Sequence, residues 1–363
     1  NPNPHLRATK TAVLLLNLGT PSAPTPKAVR AYLKEFLSDP RVVEIPRVIW
    51  WFILNGIILP IRSSASAKKY ASIWLPQLGS PLMHYSRLQA KALGEKFAHE
   101  GHTVLVDLAM RYGQPTIQEA LDSLQAQGME RLLLLPLYPQ YSATTTASSF
   151  DETFRVLTTW RNQPELRLVK HYHDNPAYIA ALRDQVLSAW DKDGHPDFLR
   201  GDRFVMSFHG LPKRNLMKGD PYHCECLKTG RLLGEALGLE EGQYIVTFQS
   251  RFGKAEWLKP YTAPTIEQLA KDGCTRVDIF CPGFPADCLE TLEEIGMEAK
   301  EIFLDHGGKD YRYISCLNSN PKWIDALSDI AYQHMLGWTL GSESKEQLTQ
   351  RAQRAQLAEN AKT

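Results

Sequence analysis

At 363 residues, with 43% hydrophobic and 22% charged side chains, the chain can hold two domains of ordinary size and is too apolar to be disordered. Forty-one basic against forty acidic residues leave a formal net charge of +1, so no field is built for nucleic acid or another polyanion, and a small-molecule partner is expected. The six cysteines (Cys224, Cys226, Cys274, Cys281, Cys288 and Cys316) follow no secretory signal and lack paired zinc-finger spacing, so free thiols are expected and His223-Cys224-Glu225-Cys226 is a weak metal motif.

In chain order, Thr9-Lys10 and everything before it read as a mobile end. Apolar runs at Ala12 to Leu18, Thr103 to Met110, Arg131 to Leu137 and Leu166 to His171 predict buried strands. A second set follows at Arg203 to Phe208, Tyr244 to Gln249, Arg276 to Cys281 and Glu301 to Leu304. Amphipathic stretches between them predict β/α units. The strands divide four and four near Asp174-Asn175-Pro176. The expected fold is α/β, with two similar doubly wound domains whose parallel four-stranded sheets face each other across a cleft. Residues 10–175 form the first domain and 176–338 the second, with the helix from Pro321 to Leu336 packing back on the first half. Residues 339–363 read as a polar tail, in which Glu343 to Lys362 could be helical with little packing.

One apolar run lies between the first two strands, at 48–61. Broken by Asn55-Gly56 and holding Pro60, it falls short of the ~20 residues needed to span a bilayer. It reads either as a core helix or as an apolar lip around the pocket of a greasy ligand, able to rest on a membrane surface. Trp50 and Trp51 suit the headgroup level. No G-x-G-x-x-G or Walker A sequence follows a strand, so nucleotide binding is unsupported.

Chemistry-bearing residues gather at strand ends, where open α/β sheets bind ligands. Leu137-Tyr138-Pro139-Gln140-Tyr141-Ser142 and Gln249-Ser250-Arg251, with Trp257 beyond, offer polar donors beside flat aromatic surface, a mix suited to a large planar ligand. His209 follows a buried strand directly, beside a Gly210-Leu211-Pro212 turn, and is the side chain best suited to taking a proton near neutral pH. A structural histidine is the other reading at such a position. After the seventh strand, Glu290, Glu294 and Glu298 recur at i, i+4 and i+8, which on a helix lines carboxylates along one face. That pattern reads as a path for cations or protons, or as a solvated acidic face.

Six segments occur in the order found in ferrochelatases and closely resemble that family. They are Leu16-Asn17-Leu18-Gly19-Thr20-Pro21, Tyr138-Pro139-Gln140-Tyr141-Ser142, Ser207-Phe208-His209-Gly210-Leu211-Pro212, Gly219-Asp220-Pro221-Tyr222, Phe248-Gln249-Ser250, and Cys281-Pro282-Gly283-Phe284 with Leu289-Glu290-Thr291-Leu292. The resemblance implies insertion of ferrous iron into a porphyrin, in the protoporphyrin-using manner of Gram-negative bacteria. It makes His209 the central base and metal-contacting residue, Glu290 its acidic partner, and Asp287, Glu294 and Glu298 a proton or metal path on a partly π-type helix. By the same resemblance Leu18, Arg62, Tyr70, Ser80, Arg111, Tyr112, Gln249, Ser250 and Trp257 contact porphyrin, Ser80 and Ser250 through its propionates.

Three departures qualify this. Ala143 stands where animal enzymes have a cysteine, and no cysteine follows Cys316, so no iron–sulfur cluster and no tightly bound cofactor is expected; iron is the substrate. Cys288 stands where many relatives have histidine. Leu18 stands where coproporphyrin-using relatives often have tyrosine, which favours protoporphyrin. Rival readings are a coproporphyrin ferrochelatase, a cobalt-inserting chelatase acting on sirohydrochlorin, and a non-catalytic haem or tetrapyrrole carrier with His209 as axial ligand. The expected location is cytoplasmic, with reversible inner-membrane contact through the lip.

Overall fold

A computed structural model describes residues 10–253 and 255–341. The first half runs β1 (Lys10–Gly19), α1 (Pro26–Leu37), α2 (Arg47–Ile53), α3 (Leu59–Ile73), α4 (Pro81–His99), β2 (Leu105–Tyr112), α5 (Ile117–Ala126), β3 (Met129–Pro136), α6 (Ser148–Leu157) and β4 (Glu165–Leu168). The second runs α7 (Pro176–Asp193), β5 (Arg203–His209), α8 (Lys213–Met217), α9 (Tyr222–Ala236), β6 (Tyr244–Gln249), α10 (Thr262–Lys271), β7 (Arg276–Phe280), α11 (Ala299–Asp305), β8 (Asp310–Ile314) and α12 (Pro321–His334). Each half forms one parallel sheet, ordered β2-β1-β3-β4 and β6-β5-β7-β8.

Parallel strands covered on both faces must be apolar throughout, and Ala12 to Leu16 and Leu132 to Leu135 are fully buried. Alternation sends Val13, Leu15, Leu133 and Leu135 to one face and Leu14, Leu16, Leu132 and Leu134 to the other. The first of these faces shares its core with Met206 and Phe208 of β5 and with Trp323, Leu327 and Ile330 of α12. Helix α12 packs on α7 and α4, with Lys96 and Asp325 paired at 2.9 Å, so the expected return onto the first half is present. Four helices open with a polar residue followed by proline: Thr25-Pro26, Ser80-Pro81, Asn175-Pro176 and Asn320-Pro321. Proline lacks only an N–H that would be unpaired at that position anyway.

Two expectations need correction. Glu301–Leu304 is not a strand but part of α11, and the eighth strand is Asp310–Ile314. A short apolar run cannot be told from a helix segment by periodicity, whereas Tyr311 and Tyr313 alternate with charged neighbours after the Gly307-Gly308 turn. The lip is not broken at Asn55-Gly56. A π-helical turn, Leu54–Ile58, joins α2 to α3 in a continuous helix, Arg47–Ile73, and Pro60 follows directly on that turn, where the i→i−4 ladder is already interrupted. Among the described residues this is the one helix long and apolar enough, by length and composition, to cross a membrane. Its large apolar side chains are bare only from Val48 to Ile61, and there on one side, since Leu54 and Leu59 are buried. Val48 is 72% exposed and Phe52 64%, while Ser63, Ala67, Tyr70 and Ile73 are buried, with Ala67, Tyr70 and Ile73 packed on Val29 of α1. The residues before Lys10 and the suggested helix at Glu343 to Lys362 lie outside the described residues.

Candidate active site

In strand order 2-1-3-4 the chain leaves β1 toward one edge and returns to pair on its other side, which opens a crevice at the carboxyl ends of β1 and β3. The second sheet repeats this at β5 and β7. The two ends face each other: Gln140 donates to Thr229 Oγ1 at 2.9 Å, and Gln89 donates to the carbonyls of Pro285 at 3.0 Å and Asn318 at 2.7 Å. The Tyr138–Ser142 segment reaches the Gly219–Tyr222 segment through Asp220, whose carboxylate accepts from Ser142 Oγ at 3.1 Å and the Ala143 N–H at 2.8 Å.

Strand β5 delivers His209 half-buried at its last position, in register with Gln249 of β6. Its Nδ1 lies 2.6 Å from the Gly210 carbonyl. A carbonyl can only accept, so Nδ1 carries a proton, and it is Nε2 that holds the lone pair in the neutral tautomer. Gly210 has a steric reason: a Cβ there would lie 2.5 Å from the Gln249 carbonyl oxygen and 3.1 Å from the Trp257 ring. The aromatic face is thereby held against the residue after His209.

Gln249, 3% exposed, links the two strand ends. Its Oε1 accepts from Ser207 at 2.8 Å, and its Nε2 donates to the Glu290 carbonyl at 2.9 Å and to Glu294 Oε2 at 3.3 Å. Ser250 turns the chain with a left-handed φ of 63°, and this aims both its N–H (2.6 Å) and its hydroxyl (2.5 Å) at the Glu294 carboxylate. The charge-assisted bonds offset the cost of that backbone.

The segment Glu290–Glu298 is π-helical throughout. Its i→i+5 bonding brings residues five apart onto one side, and Glu293 and Glu298 both bind Lys69, at 2.9 and 2.5 Å. Burial raises the Glu293 carboxyl, Lys69 opposes this, and the Glu298 charge adds to it. Burial works against the Lys69 ammonium, but its two carboxylate partners hold its pKa above the usual value. Glu290 is half-buried at the head of the π-helix. Burial and then its charge raise the Tyr70 phenol and the Cys288 thiol well above their ordinary values; Tyr32 is raised by burial, then by Tyr70 and Glu290. Cys288 is therefore a neutral thiol.

The other predicted residues divide by exposure. Leu18, Arg62, Arg111, Ser250 and Trp257 retain exposed surface, whereas Tyr70, Ser80, Tyr112 and Gln249 are buried. Arg62 lies 4.5 Å over the Phe252 ring, joining the lip to the loop after β6. Ser80 accepts from Thr20 Oγ1 at 2.8 Å. Tyr112 is 0% exposed and cannot touch a ligand in this conformation; its hydroxyl donates to Asp39 at 2.8 Å, and Arg111 pairs with the same oxygen at 2.7 Å. Asp287 is engaged by donors of its own. Its buried carboxylate accepts from Tyr313, from Asn318 at 2.7 Å, from Thr291 at 3.1 Å and from the Cys316 N–H at 3.3 Å, which makes it an anchor for the turn into the π-helix.

Sequence reasoning misses Lys69, Glu293, Tyr32, Asp39 and Phe252. Only Glu293 leaves a sequence signal, its five-residue spacing from Glu298, and that spacing means contact only on a π-helix.

The chain matches the family model described as Ferrochelatase over residues 10–335. It is 61% identical over 337 residues to the ferrochelatase of Herminiimonas arsenicoxydans, covering 93% of this chain and 90% of that one. It is 61% identical over 334 residues to the ferrochelatase of Janthinobacterium sp. (strain Marseille), covering 92% and 89%. In fold it is similar to SirB from Bacillus subtilis with Fe3+, with a TM-score of 0.51 and 14% identity over 92% of this chain and 100% of that one. A similar likeness, TM-score 0.50 at 11% identity over the same shares, holds for the sirohydrochlorin chelatase SirB from Bacillus subtilis subspecies spizizenii in complex with cobalt.

Proposed function

Since the chain belongs to the ferrochelatase family, we propose that it inserts ferrous iron into protoporphyrin to give haem, with His209 and Glu290 as the reacting protein groups. The observation that supports these roles is their placement: each follows a strand beside the topological switch of the second sheet, and Gln249 ties the two segments together.

Free porphyrin carries pyrrole protons that must leave before the metal can bind every nitrogen. His209, with Nδ1 committed to the Gly210 carbonyl, offers Nε2 as the base. Ferrous iron accepts imidazole and carboxylate ligands, so His209 and Glu290 can hold it weakly enough to release it. Beyond Glu290, the Gln249 amide and Ser250 fix Glu294, and Lys69 fixes Glu293 and Glu298. These carboxylates form the proposed path for protons outward or iron inward; Asp287 is outside it. Arg62 is the proposed partner of the propionates, and Trp257 and Leu18 of the rings; Ser250, whose two donors are both taken by Glu294, has none left for a propionate. Anaerobic incubation with ferrous iron should quench protoporphyrin fluorescence faster than coproporphyrin fluorescence. The opposite order would overturn the substrate assignment resting on Leu18.

The bare side of the lip is the proposed reversible contact with the inner membrane, from the cytoplasmic side. Val48, Ile49, Trp51, Phe52, Ile57 and Ile61 are exposed, with the Trp51 and Phe52 rings set edge to face at 5.1 Å. Replacing both aromatics by serine should weaken sedimentation with anionic vesicles roughly tenfold or more, since each buried aromatic contributes about 1.5–3 kcal/mol. Unchanged vesicle binding would remove the lip from this role.

A further inference from the structure

Three ligating side chains gather in a cluster that includes none of the residues proposed for the reaction. His171 and His173 lie in the segment after β4, and Glu225 lies in the first turn of α9. One ligand atom from each falls within 4.8 Å of the others. His171 Nδ1 is 2.6 Å from Glu225 Oε1, and His173 Nδ1 is 3.5 Å from Oε2. Two ligands on one zinc-like ion, each about 2.0–2.2 Å from it, stand roughly 3–3.5 Å apart; the His173–Glu225 spacing matches this, whereas His171, hydrogen-bonded directly to Glu225, must swing outward slightly to admit an ion.

A second observation points to a missing partner. His173 is 6% exposed, and its Nδ1, aimed at the carboxylate, has no hydrogen-bond partner. Leaving such an atom unsatisfied costs about 1–3 kcal/mol. The supports of a metal site are present around it. The Tyr141 N–H donates to Glu225 Oε2 at 2.7 Å, and Thr229 Oγ1 donates to the His173 carbonyl at 2.8 Å, so the carboxylate and the histidine backbone are both held. Lys228, the nearby cation, is paired with Asp174 at 2.5 Å. The His171 side chain is 40% exposed, which leaves a route in from solvent.

We propose that His171, His173 and Glu225 bind one divalent first-row transition-metal ion, Fe2+ or Zn2+ by ligand chemistry, at a site sharing no residue with the His209 cleft. Because the histidines belong to the first half of the fold and Glu225 to the second, the ion ties the two halves together.

The test is anaerobic titration of the full chain with Co2+, whose visible spectrum reports its ligands, in a His209→Ala/Glu290→Gln background that removes the cleft ligands. One Co2+ per chain should still bind and raise the thermal midpoint, since it binds the folded state. His173→Ala should abolish both signals. His171→Ala, at a partly exposed position whose truncation opens no core cavity, should weaken binding by more than roughly 100-fold, beyond the loss typical of outer-sphere partners. Cys224→Ser should leave the spectrum unchanged, although Cys224 is exposed beside Glu225. No Co2+ band in the cleft-deleted background, a band that survives both histidine substitutions, or one lost with Cys224 would each overturn the site.

Discussion

His209→Ala should lower iron insertion by roughly 10²–10⁴-fold, the usual contribution of a positioned acid or base, while porphyrin still binds. The side chain is half-buried at the end of a buried strand, and its Nδ1 is bonded to the neighbouring Gly210 carbonyl, so truncation removes a base without opening a core cavity. Glu290→Gln is the informative companion. The link from Gln249 reaches the Glu290 main-chain carbonyl, not its carboxylate, so glutamine preserves that contact and the shape of the π-helix while removing the charge. Turnover should fall, most steeply with iron limiting, with folding intact. Porphyrin fluorescence under anaerobic ferrous iron reads turnover, and its quenching without metal reads binding. Robust insertion by His209→Ala would sink the base assignment; loss of porphyrin binding in that variant would make His209 a binding residue instead.

The legible part of this fold is what repeats locally. Leucine-rich runs such as Leu132–Leu135 announce strands buried on both faces, and the Asn175-Pro176 pair taken as a domain break is the N-cap and first residue of α7. Glu301–Leu304 misleads because four residues do not distinguish a strand from one turn of a helix, and Asn55-Gly56 misleads because a π-turn absorbs it. In the site, His209 and the carboxylates are visible, since strand ends and i, i+4 spacing are sequence features. Their partners are not. Lys69 meets Glu293 across 224 positions, and no local pattern encodes that meeting. Tyr112 shows the reverse: identified by resemblance as touching a ligand, it is fully buried, with its hydroxyl bonded to the Asp39 carboxylate.

That carboxylate supports the other large prediction: Asp39→Ala should destabilise the fold by about 3–5 kcal/mol, because removing one partner of a buried pair strands the other charge. The Asp39 side chain is 3% exposed and that of Arg111 16%. Oδ2 accepts from Arg111 at 2.7 Å, Tyr112 at 2.8 Å and Ser148 at 2.5 Å, and Oδ1 accepts from the Arg41 N–H at 2.7 Å. These bonds join the end of β2, the start of α6 and the turn leading into the lip helix. Burial pushes the Asp39 carboxyl up, but Ser148, the Arg41 N–H, Tyr112 and Arg111 outweigh it and hold its pKa below the ordinary value. A group depressed in the folded state contributes stability above its unfolded pKa and loses it as pH falls through the folded one. In urea denaturation the deficit of Asp39→Ala should therefore be constant above about pH 4 and shrink below it as the wild type surrenders the same interaction. Asp39→Asn, which keeps an acceptor but no charge, should fall between the two. A deficit below about 1 kcal/mol would mark a solvent-screened pair, and one that grows on acidification would contradict the depressed carboxyl; either result would detach the lip's entry turn from this hub.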